Sequence, residues 1–162
     1  MEKIIGYQHS ETGGHGYYFY RDFKQICTVS TGLFLPVRIA GFSKEWISKY
    51  DMYNTVMPGS VRNVRNDVTE EVIHKITYLS RGKFIIDDRL EVSCEEGKYT
   101  FTRPENRTLV ADITKCTDED IWIPEEEWRD FEPYFEISLH QEVEEDEFLL
   151  IAGFPALRFG LT

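Results

Sequence analysis

Four histidines, three cysteines and a dense set of acids are the side chains of this sequence that could do chemistry. His9 and His15 flank Glu11 in a glycine-rich stretch, and two imidazoles with a carboxylate are ligand types that zinc accepts. A flexible loop with no fourth ligand at a recognised spacing is a poor site, so a solvated loop is the plainer reading and no metal is expected. His74 and His140 fall in apolar, alternating stretches, where a hydrogen-bonded position in a strand accounts for a histidine. Cys27, Cys94 and Cys116 are odd in number and form no CxxC pair, which argues against a disulfide framework and for a reducing compartment. A Cys–His nucleophile pair would meet in space rather than in sequence. No local nucleophile pattern surrounds any of the three cysteines, and a cysteine within a strand usually behaves as a small apolar residue. No catalytic residue and no cofactor is expected, and an enzyme using a Cys/His pair is the least favoured reading.

The charge is uneven. The 162 residues carry a formal net charge of −11. From Thr117 to Glu147 there are fourteen acids against one base, Arg129, so this segment carries −13; the rest, with 17 bases and 15 acids, carries +2. The acid runs Asp118–Asp120, Glu125–Glu127 and Glu144–Glu147 invite calcium, but they lack the spacing of a calcium-binding loop. A solvated acidic face, or acids beside a helix N-terminus, is the better reading, with a basic protein partner as the functional alternative. Arg62, Arg65, Lys75, Arg81 and Lys83 form the most basic neighbourhood, diluted by Asp67, Glu70 and Glu71. A lipid headgroup is the anion it would suit. The overall sign disfavours nucleic acid. The first residues hold no apolar stretch of signal-peptide type, so the expectation is a cytoplasmic protein.

The elements that would position these residues are mostly short strands. Tyr17–Tyr20 and Ile26–Ser30 read as strands, and Leu33, Leu35, Val37 and Ile39 recur at a spacing of two, with Pro36 marking an edge or a bulge. Residues 13–16 read as a flexible loop. Ser43 is placed to cap a short helix with Trp46, Ile47 and Tyr50 on one face. Six further strands follow between Val61 and Thr114, separated by turn residues every 8–12 positions. Thr117–Phe131 holds Pro124 at the first turn of a short helix, and Phe135, Ile137 and Leu139 then alternate cleanly. The chain closes on Phe148–Leu161, apolar but for Arg158 and too short to span a bilayer as a helix, which takes roughly 20 residues. A segment apolar on every side must be surrounded on every side. As a helix it has four acids at its positive end and Arg158 near its negative end, which favours it over a buried strand; Pro155 leaves open whether it is one helix or two halves.

Three stretches resemble the tubby-like C-terminal superfamily, which includes the phospholipid scramblases and the LURP-one-related proteins. Val72–Ile76 with Gly82–Ile86 is similar to its paired strands, and Tyr99–Phe101 with Leu109–Ile113 to the hairpin that follows. Tyr134–Ile137 with Asp146–Ala152 is similar to its last strand and hydrophobic C-terminal helix. The resemblance covers about two-thirds of the chain, and the stretch before Met57 supplies the remaining strands by completion. It implies one domain over residues 1–162: a closed antiparallel β-barrel of short meandering strands enclosing the C-terminal helix. The family includes phosphoinositide binders and membrane-linked proteins, but no lipid-binding residue of theirs has a counterpart here. The functional expectation is a non-enzymatic binding or scaffold module of unknown ligand, with a lipid-headgroup or membrane-engaging protein as the alternative.

Overall fold

A computed structural model of the chain describes residues 1–11, 14–32, 35–49, 57–116 and 131–158, the side chains of residues 11 and 131 excepted. The expected helix at Pro124, the acid runs between 118 and 127, and the residues after 158 lie outside the described residues. The strands are β1 (Glu2–Glu11), β2 (Gly14–Arg21), β3 (Lys24–Gly32), β4 (Leu35–Gly41), β5 (Lys44–Ser48), β6 (Val61–Asn66), β7 (Val72–Ser80), β8 (Lys83–Ile86), β9 (Leu90–Glu95), β10 (Lys98–Thr102), β11 (Leu109–Lys115) and β12 (Phe131–Leu139). One helix follows, α1 (Glu145–Leu157). Each strand pairs with its neighbours in sequence, and β12 returns to pair with β1, so the twelve form a closed antiparallel barrel. Closure removes the unpaired edges that an open sheet would expose.

Period-two patterning builds the wall. In β4 Val37 and Ile39 are buried while Arg38 is exposed; in β9 Leu90 and Val92 are buried while Glu91 is exposed. Pro36 has no N–H for the ladder, and the β3–β4 register slips beside it, between Ser30 and Gly32, as a bulge. The six strands read between Val61 and Thr114 form as β6 to β11.

Two local readings are corrected. Ser43 caps no helix: Phe42 and Ser43 make a two-residue turn with φ of 52° and 62°, and the chain returns as β5. Such left-handed turns match the twist of a β-hairpin. Ile39 pairs with Trp46, and Trp46 and Ser48 alternate with the less buried Glu45 and Ile47, so a period of two overrides the helical one. The glycine stretch is no loop beyond residue 13, because Gly14 and Gly16 belong to β2 and pair with Gly32 and Ser30. β1, which the sequence gives no strong sign of, is the strand that closes the barrel.

Helix α1 is buried from Glu147 to Leu157 without a break. It packs against β3 and β4, and its side chains share one core cluster with residues of β1, β3, β4, β8, β10 and β12. Phe154 takes edge-on ring contacts from Phe84 at 5.2 Å, Phe101 at 5.7 Å and Tyr99 at 5.8 Å, the arrangement aromatic quadrupoles prefer. Pro155 does not split the helix. It lies near the last turn, where it deprives only the Ile151 carbonyl of a partner, and Arg158 still donates its N–H to the Phe154 carbonyl. Gly153 is required by contact: a Cβ there would run into Cδ1 of Ile39 and lie 3.1 Å from its Cγ1.

Two outcomes follow from this packing. Leu150, 2% exposed, tolerates no charge, so Leu150→Asp should abolish folding, since a lone buried charge costs several kcal/mol against a total of about 5–15; a soluble, cooperatively melting variant would contradict the burial. Gly153→Ala should lose about 1–2 kcal/mol in chemical denaturation although alanine is the better helix former. Combining it with Ile39→Val, which removes the obstructing methyl, should recover part of that loss, and a purely additive double mutant would refute the contact.

Candidate functional site

At one end of the barrel the register itself creates a cleft. The core-facing positions of β11 run Ala111, Ile113 and then Lys115; those of β3 run Cys27, Val29 and then Thr31. The same period that fills the core therefore places a lysine and a threonine where the apolar residues give out. Opposite them α1 presents only small or ring-closed side chains, Ala152, Pro155 and Ala156, spaced at i, i+3 and i+4 on one stripe. The space left is a cleft of about 400 Å³, toward the small end of the 300–1,000 Å³ typical of ligand sites.

Its walls are aromatic. Tyr17 of β2 lies 5.6 Å from Tyr134 and 5.2 Å from Phe135 of β12, ring to ring, and Tyr134 meets Phe135 edge-on at 4.6 Å. Tyr99 of β10 completes the lining, its hydroxyl accepting a hydrogen bond from Arg158 at 3.2 Å with the guanidinium 5.5 Å from the ring centre. Burial raises the phenols of Tyr17 and Tyr99, the latter against the opposing effect of Arg158, so both stay neutral hydrogen-bonding groups. Lys98 and Lys115 stand at the mouth with Glu96. A shallower groove shares Glu96 and Gly97 with the cleft and adds Tyr78, Arg81, Cys94 and Arg158.

The far end of α1 is a polar anchor. Its first turn holds Glu145, Asp146 and Glu147 at the positive pole of the helix. Lys44 donates to Asp146, and Arg103 grips Glu147 with both terminal nitrogens, Nη2 at 3.0 Å. His74, buried on β7 against Trp46, bonds through Nδ1 to Asp87, and its Nε2 lies 3.5 Å from Asp146. Burial works to raise the Asp87 carboxyl, but bonds from His74 and the Lys75 N–H outweigh it and hold the group low. At the opposite pole Arg62 is buried and donates Nη1 to the Leu157 carbonyl and Nε to Ser48, both at 2.8 Å.

The residues singled out in the sequence disperse. His9 pairs with Gly16 and His15 with Ser10, so the two imidazoles point to opposite faces of the β1–β2 hairpin. Among the described residues no cluster of three or more His, Cys, Asp or Glu could hold a metal ion. Burial pushes the Cys27 thiol up to about 12 and raises that of Cys94, so neither is a ready nucleophile at neutral pH. His140 lies just beyond β12 and bonds to Asp112 at 2.7 Å. The basic neighbourhood is broken up: Arg62 is committed to the helix end, Arg65 donates to the Glu70 carbonyl, and Lys75 and Arg81 stand at separate points of β7 and its turn. Sequence reading passed over Tyr17, Tyr99, Tyr134, Phe135 and Lys115 as a set, because only closure of the barrel brings β2, β10, β11 and β12 to one mouth. The chain matches no family model, no curated protein and no solved structure. No described helix is long and apolar enough to cross a membrane.

The Arg103–Glu147 pair has a pH signature. The hydrogen bond from Arg103 outweighs burial and lowers the Glu147 carboxyl. A carboxyl depressed on folding adds stability above its unfolded value of about 4.3 and loses it as pH falls through the folded value. Arg103→Met removes the largest cause that lowers the carboxyl and leaves burial opposed only by the Glu144 backbone bond and the charge of Arg89, so the group moves up. The variant should lose about 3 kcal/mol at pH 7, and its deficit against the wild type should shrink as pH falls to 5. Urea unfolding at the two pH values checks this; a deficit that stays constant or grows would refute the pairing.

Proposed function

We propose that the protein is a non-enzymatic cytoplasmic binding module of tubby-like architecture, in which α1 is enclosed by the barrel and the cleft beside it takes a small ligand with an apolar body. The observation that carries this reading is the cleft: four aromatic rings facing a stripe of two alanines and a proline on an otherwise bulky helix. Elsewhere α1 fills its surroundings with Phe148, Leu149, Ile151, Phe154 and Leu157. Small side chains on one stripe leave room that the packing does not itself use, which is how a binding site differs from a core. The raised thiols of Cys27 and Cys94 and the separation of His9 from His15 support binding rather than turnover. The lipid-headgroup alternative is less supported, because the basic neighbourhood it would rely on loses Arg62 to the helix end.

The neutral fluorescent probe N-phenyl-1-naphthylamine tests the reading without reference to charge. It should bind the wild type saturably with increased emission. Ala152→Leu and Ala156→Leu, which fill the cleft from the helix side, should each abolish that signal while thermal melts confirm a folded protein. Absence of binding, or binding indifferent to both fillings, would sink the proposal.

A further inference from the structure

The cleft has a charge as well as a shape, and the charge selects among apolar ligands. This step rests on the binding role proposed above. Lys115 is exposed, but it continues the register of the buried Ala111 and Ile113 and lines the cleft at the point where β11 leaves the apolar core. Its ammonium has no ion-pair partner among the described residues. Thr31, also at a core-facing register position, offers a hydroxyl, and Lys98 adds a second cation to the rim, so the two lysines outnumber Glu96 there. Below them the aromatic walls and the alanine stripe offer nothing charged.

From this layering we propose that the cleft takes an amphipathic carboxylate, its apolar end against Tyr17, Phe135 and Ala152 and its carboxylate on Lys115 with Thr31 as a hydrogen-bond donor. A cation at the mouth of an apolar pocket fixes the ligand's direction as well as its sign, and it rewards an anion that keeps its head partly in water. The chemistry is shared by alkanoates and aryl-alkanoates. The depth and aromatic walls admit either, so both are used as probes.

Isothermal titration calorimetry with decanoate, 3-phenylpropionate and the neutral decanol tests the idea on the full chain. At least one carboxylate should bind the wild type ten-fold or more tighter than decanol. Lys115→Met should remove that preference, read as the ratio of carboxylate to decanol affinity within the variant, and Lys115→Arg should retain it. Preference for decanoate assigns an alkyl-chain ligand, preference for 3-phenylpropionate an aryl one. Decanol binding as tightly as the carboxylates, or a Lys115→Met variant that keeps the preference, overturns the charge selection and leaves the cleft as a neutral binding site. Failure of all three probes overturns it together with the binding role.

Discussion

An apolar helix with no solvent face sets the terms for everything else in this protein. From Glu147 to Leu157 no side chain of α1 is exposed, so the helix has no stripe to offer water and must be covered on every face. Neighbouring helices or a sheet can provide such cover, and among the described residues the other elements are all strands. The twelve strands contribute large fully buried side chains, among them Phe19, Ile39, Phe84, Phe101 and Ile137, to the same core cluster as the helix. The fit is close where it is complete. Ile39 reaches into the place where any residue larger than Gly153 would put a Cβ.

Burying a helix also buries its ends, whose unpaired backbone groups need partners. The chain answers with charge at both poles. Acids cluster at the positive end and are held by Lys44, His74 and Arg103 from three different strand regions. Arg62 closes the negative end through the Leu157 carbonyl. These bonds tie the helix to the wall in one register, and they explain why several of the most chemically suggestive residues serve the fold. His74 and Arg62, which by type alone invite proton transfer or anion binding, are committed to holding α1 in place.

What remains available is the cleft beside the small buried side chains of α1. Ala152, Pro155 and Ala156, all buried, share the lining of that cleft with aromatic residues of β2, β10 and β12. A void of this size lined only by aliphatic groups would be a packing fault with a large cost in lost contacts. This one is lined by three tyrosines and a phenylalanine, with two lysines and a glutamate beside them, and it is the space on which the proposed binding role rests.

Within the sequence, the strands between Val61 and Lys115, the alternation before His140 and the apolar run after Glu147 were all readable, because alternating burial and a charge-to-apolar boundary are written in consecutive residues. The sequence alone also made a closed wall around the last segment the natural solution. It misjudged Ser43–Tyr50, where a helical spacing of Trp46, Ile47 and Tyr50 lost to pairing of Trp46 with Ile39. It did not mark β1, whose role as the closing strand depends on β12, over a hundred residues away. The continuity of α1 through Pro155 was decided by contacts from Phe84, Tyr99 and Phe101, which outlast the loss of one backbone bond. The cleft was decided there too. Which residues end a strand is a matter of sequence, and the β11–β12 register sets Lys115 beside Phe135, but only closure through β1 and β12 adds Tyr17 of β2 to the same lining.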